Sequence, residues 1–247
     1  MKDKILIICR AFLWCFVILL FPIASGTISV IFSMNIIETL FLQGSFMAMS
    51  LIVPTILVLC GKWRWREIGF AKLNLKGCKK VLYFIPLLVI LVPVTIKGFD
   101  AKSIDYVLGS MFLYLFVGIS EEVYFRGIIP RYLKKEFSTR GVVIGSTVIF
   151  AIGHIATALT GSSGLEVFLT VFNALIFGLL AIEITILSSN IIPAVVVHFL
   201  FDFETKIVMM SGSELLWAEV IRGFLMFIIA TWLAVIIYRQ KTEEAEL

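Results

Sequence analysis

The sequence predicts an all-α fold, a polytopic membrane bundle of about eight transmembrane helices with both termini cytoplasmic. Three observations predict it. The 247 residues are 60% hydrophobic, with a mean hydropathy of +1.06. Only 15% are charged, where soluble domains carry about 25%. The apolar residues also come in runs near the ~20 that cross a bilayer as a helix.

The first span is expected at 5–31. Its opening, "MKDKILIICRAFLWCFVILLFPIASG", has the look of a signal peptide. The apolar run continues through "TISVIF" with no clean cleavage site, so an uncleaved span is expected. Further spans are expected at 44–61, 80–97, 106–130, 141–159, 165–187, 191–205 and 215–238, the seventh being short. No repeat or low-complexity linker divides the chain, so residues 1–247 are expected to form a single integral membrane domain.

The loops alternate in charge. "GKWRWREIGFAKLNLKGCKK", after the second span, carries seven Lys/Arg, and "RYLKKEFSTR", after the fourth, carries four. Lys2 and Lys4 precede the first span, and Arg239 and Lys241 follow the last. Residues 32–43 and "TGSSG" have none, and residues 98–105 have only Lys102. Basic loops stay inside, so both termini are placed in the cytoplasm, a parity that eight spans satisfy. This distribution accounts for the net charge of +4 without a nucleic-acid partner. Trp63 and Trp65, among basic residues, are expected to anchor at the lipid interface. Cys9, Cys15, Cys60 and Cys78 have neither metal nor redox spacing and are expected to be apolar filler or interfacial thiols.

Ionisable groups inside spans cost about 2.5–3.5 kcal/mol each on insertion scales, which makes each one a functional hypothesis. The fourth span reads "GISEEVYFRGIIPRYL". Glu122 and Arg126, four apart, share a helix face and can pair. Glu121 is turned about 100° from Glu122 and is free for another partner. The chain has two histidines, His154 in "FAIGHIATAL" and His198 in "VVVHFLFDF". Asp202, four residues on, lies on the face of His198. Measured from the expected cytoplasmic ends, Glu121, His154 and His198 lie roughly 15, 20 and 12 Å deep. They are therefore expected to meet in one cavity opening toward the cytoplasm, with the inventory to activate water. Glu183 is expected to be interfacial, and Arg10 and Arg222 to snorkel.

At these residues the sequence resembles the CAAX-protease and bacteriocin-processing family of intramembrane proteases. Its EExxxR motif is matched by Glu121, Glu122 and Arg126, and its FxxxH motif by Phe150 and His154. HxxxN or HxxxD is matched by His198 and Asp202. The family-like core covers about 106–203. The resemblance implies an eight-helix fold with its site near the cytoplasmic face. Eukaryotic members remove a terminal tripeptide from prenylated proteins. Many bacterial members are linked to peptide processing, pheromone pathways or bacteriocin self-immunity. By resemblance, Glu121 and His154 polarise the attacking water, while His198 and Asp202 stabilise an oxyanion or act as ligands. Glu122 and Arg126 brace the first helix, and Phe150 packs beside the site.

An intramembrane endopeptidase acting on a peptide or lipidated-protein substrate is thus expected in a bacterial cell membrane, with an unmodified peptide favoured. The alternative is a bacteriocin-immunity or regulatory membrane protein that acts without proteolysis. An ionised Asp202 cannot donate to an oxyanion, so it is protonated, orients His198 or contacts a metal. Glu121, His154, His198 and Asp202 would suit zinc. Metal-free water activation is slightly favoured, because no helical HExxH pair is present.

Overall fold

The computed structural model describes residues 2–72, 85–100 and 102–245. The described residues are helical with connecting turns, and they contain no strand, only an isolated bridge between Phe99 and Val208. Cys78 and the beginning of the expected third span, residues 80–84, lie outside them.

Helix α1 is Lys2–Ile31, about 45 Å long at 1.5 Å per residue, enough to cross a ~30 Å hydrocarbon core. Helices α2 (Ile36–Ser50) and α3 (Ile52–Leu59) together form the second apolar crossing. It starts eight residues before the expected boundary at 44. Asn35 sets that start: its side chain accepts from the Glu38 N–H at 3.0 Å, and Glu38 accepts from the Asn35 N–H at 2.9 Å. This reciprocal cap satisfies two helix-end donors and lets a polar first turn remain helical.

The described part of the third expected span is two short pieces, α4 (Ile85–Val89) and α5 (Val92–Thr95), not one helix. Pro93 has no N–H to continue a helix from before it and restrains the residue preceding it, so the chain restarts there. Helix α6 (Ile104–Glu122), a π-helical turn (Val123–Ile128) and α7 (Ile129–Leu133) make the fourth crossing. The fifth is α8 (Thr139–Gly153), which tightens into a 3-10 helix at His154–Thr160. Then come α9 (Gly164–Ser188), α10 (Ile192–Ile207) and α11 (Gly212–Ala245). Ser103, Ser138 and Ser163 cap α6, α8 and α9, each accepting a backbone N–H with its side chain.

Among the described residues, six helices are long and apolar enough to cross a membrane. At 16 residues, α10 falls short of that length, as do α4 and α5. The molecule is an all-helical, multi-pass membrane protein. Helix α6 packs against α2 and α10, and α9 lies between α8 and α11.

The basic loop does not simply face water. Residues Trp65–Ile68 form a 3-10 turn, and Ile68 is fully buried. Gly69 then adopts φ +98, a conformation that favours glycine, and its carbonyl accepts from Ile191 N–H at 3.0 Å. The Asn190 amide bonds the Ala71 carbonyl next to it. Gly127 admits this segment: a methyl group there would collide with the Ile68 carbonyl. Trp63 is only 8% exposed, lies 5.4 Å from Trp14 and sits under Arg131, so it is a core residue rather than the expected interfacial anchor. Trp65 stays exposed.

Candidate active site

The site is assembled from three helices whose local geometry follows from sequence. Pro130 offers no N–H to the Arg126 carbonyl, and its ring would crowd that carbonyl in a regular helix. The chain responds with the π-helical turn at Val123–Ile128, in which the Ile129 N–H reaches back to the Tyr124 carbonyl. Ser146 Oγ donates to the Phe125 carbonyl at 2.6 Å, and Tyr124 Oη donates to the Ser50 carbonyl at 2.8 Å. These two bonds pin the turn to α8 and α2.

Glu122 is fully buried and sits between Arg126 and His198. Its Oε1 lies 3.0 Å from Arg126 Nη1 and 2.8 Å from His198 Nδ1. The expected Glu122–Arg126 pair therefore exists, and Glu122 also bridges α6 to α10. Arg126 lies 4.1 Å above the Phe150 ring and 5.7 Å from the Phe177 ring. Phe150 in turn lies 4.6 Å from the His154 ring and 6.1 Å from the His198 ring. One aromatic side chain thus spaces the arginine and both histidines.

His198 presents its second nitrogen to two further carboxylates. Nε2 is 3.5 Å from Asp202 Oδ2 and 3.8 Å from Glu121 Oε2. Glu121 keeps 19% of its side chain exposed, and its buried Oε2 has no hydrogen-bond partner. His154 stands where α8 tightens into the 3-10 helix. Its Nδ1 is 3.0 Å from the Phe150 carbonyl, which can only accept, so Nδ1 carries the proton and Nε2 keeps a lone pair.

Glu121 and His154 line one cavity of about 840 Å³ with Phe125, residues of α1 from Ile18 to Ile31, and Gln43. This cavity runs toward the Ile31 end of α1, away from Lys2 and Lys4. An opening toward the basic loops was expected. Among the described residues, that side is floored by Ile68–Ala71 on Asn190 and Ile191. Gly153 lies beside Cys15 and Leu19, which sets the site near the middle of α1.

Zinc would need at least three protein ligands around one point. Among the described residues, no three His, Cys, Asp or Glu side chains converge in that way. Both histidine Nδ1 atoms are engaged, by the Phe150 carbonyl and by Glu122, which leaves Nε2 of each ring facing the other site residues.

One expectation about another charge fails. Arg222 does not snorkel: it is 2% exposed, bonded to Glu204 at 2.7 Å and Glu219 at 2.5 Å. Glu183 is also enclosed by the protein, at 2% exposed. Neither belongs to a motif, so only the cost of a charge within a span marks them in the sequence.

Residues 103–203 match the family model described as Type II CAAX prenyl endopeptidase Rce1-like, the same family whose three motifs the sequence resembles. The matched segment carries all seven motif residues and supports a CAAX-type intramembrane endopeptidase. No curated protein and no solved structure matches the chain.

Proposed function

We propose that Glu121 and His154 activate a water molecule for peptide hydrolysis in the membrane-embedded cavity. The observation that carries this is the unpartnered Glu121 Oε2, beside a cavity that His154 also lines. A peptide carbonyl reaches the site through that cavity. Glu121 takes a proton from the water, whose second hydrogen bond goes to His154 Nε2. The resulting hydroxide attacks the carbonyl carbon, and the negative charge on the carbonyl oxygen is met by the His198 Nε2–H. Glu121 then delivers its proton to the leaving amine as the C–N bond breaks.

Glu122 holds His198 through Nδ1, and Asp202 orients the ring from the Nε2 side. Asp202 thereby has a role that does not require it to donate. Arg126 balances Glu122 and stacks on Phe150, which keeps the helices in register.

The test is cleavage by the full chain reconstituted in liposomes. The probes are a prenylated CAAX-box peptide and unmodified apolar peptides, with products read by mass spectrometry. The wild type should cleave a probe, and Glu121→Ala and His154→Ala should each be slower by about 10²–10⁴. Full activity in both variants would overturn the assignment. A metal-free preparation should remain fully active, whereas activity lost to a chelator and restored by zinc would overturn the metal-free step.

A further inference from the structure

A second cavity of about 1180 Å³ shares no lining residue with the first. It is bounded by the start of α8, by Leu179 and Glu183 of α9, and by the last apolar turns of α11. Its walls include Val143, Ile144, Ala234 and Val235. Arg140 and Arg239, both exposed, stand among its lining residues. Arg140 is the second residue of the α8 crossing and Arg239 the last of the α11 crossing, so both stand at the ends of apolar spans.

Glu183 lies five residues before the end of α9, about 7.5 Å further in. It is 2% exposed, and its Oε2 has no hydrogen-bond partner. A carboxylate in an apolar wall is costly unless a donor or cation meets it. The cavity therefore asks for three things at once: an anion at the span ends, a cation with N–H groups just beneath, and an apolar chain. A free phosphate supplies only the first, and Glu183 would repel it.

We propose that this cavity binds a phospholipid with a phosphoethanolamine headgroup. The phosphate pairs with Arg140 and Arg239, the two-carbon arm folds its ammonium inward to Glu183, and an acyl chain fills the groove. A choline headgroup lacks N–H donors, and a glycerol headgroup lacks the cation, so both bind less well.

The experiment uses the full chain in nanodiscs of mixed phosphatidylethanolamine, phosphatidylcholine and phosphatidylglycerol with matched chains. Native mass spectrometry reads the lipids retained. The wild type should retain phosphatidylethanolamine about tenfold over the other two, a difference of about 1.4 kcal/mol. Glu183→Gln should erase that preference while phospholipid is still retained. The surface pair Arg140→Ala with Arg239→Ala should lower retention of all three lipids without touching the interior. No preference in the wild type, meaning bulk annular lipid only, would overturn the proposal. So would an undiminished preference in folded Glu183→Gln. Should Glu183→Gln not fold, undiminished retention in the arginine pair overturns it instead.

Discussion

Two clusters of charge are buried in this apolar bundle, and they are built on opposite plans. In the first, Arg222 of α11 is saturated. It donates through Nε and Nη2 to Glu219, through Nη1 to Glu204 and the Phe201 carbonyl, and it lies 3.5 Å over the Phe201 ring. In the second, around His198, three buried atoms have neither a hydrogen bond nor a close ion-pair partner: Glu121 Oε2, Glu122 Oε2 and Arg126 Nε. Buried polar atoms are nearly always satisfied, so the unsatisfied ones call for a chemical explanation. The Arg222 cluster holds α10 to α11. The His198 cluster holds helices together too, but it leaves the carboxylate of Glu121 unpartnered at a cavity.

Substitutions can break or sharpen this contrast. The largest effect on stability is expected for Arg222→Ala, which strands Glu204 without its partner. Removing one member of a buried pair costs about 3–5 kcal/mol. Denaturant unfolding should show that loss, and any remaining folded fraction should cleave normally. An unchanged midpoint would mean that the Arg222 cluster holds nothing. A smaller effect is expected for Phe150→Leu, which conserves an apolar body but removes the face under Arg126. Cation–π contact is worth about 0.5–2 kcal/mol, and the unfolding midpoint should fall accordingly. The smallest effect is expected for Asp202→Asn. An amide can still accept from His198 and gains a donor for the oxyanion, so kcat/KM should stay within about tenfold. A hundredfold loss would show that the negative charge itself is needed.

Much of the bundle was legible because hydropathy reports what a residue costs in lipid. The expected 165–187 and 141–159 differ little from α9 and from α8 with its 3-10 extension. Helical periodicity also separated Glu121 from Glu122 and put Asp202 on the face of His198, as the distances bear out. What stayed hidden depends on partners distant in sequence. Nothing near Arg222 says that Glu204 and Phe201 of another helix enclose it, and nothing near Trp63 says that Trp14 covers it. Hydropathy cannot tell a face that meets lipid from one that meets protein. It therefore misplaced Arg222 and Trp63. Two local signals were available, Asn35 with Glu38 as a cap and Pro130 as the cause of a widened turn.

The contrast between the clusters is tested most directly by one number, the cleavage rate of Glu121→Gln per folded molecule. The substitution keeps the side chain's shape and removes its capacity to take a proton from water. The account predicts a rate about 10²–10⁴ below wild type with the unfolding midpoint preserved. A wild-type rate per folded molecule would contradict it, and would make Glu121 one more helix-bracing charge like those around Arg222.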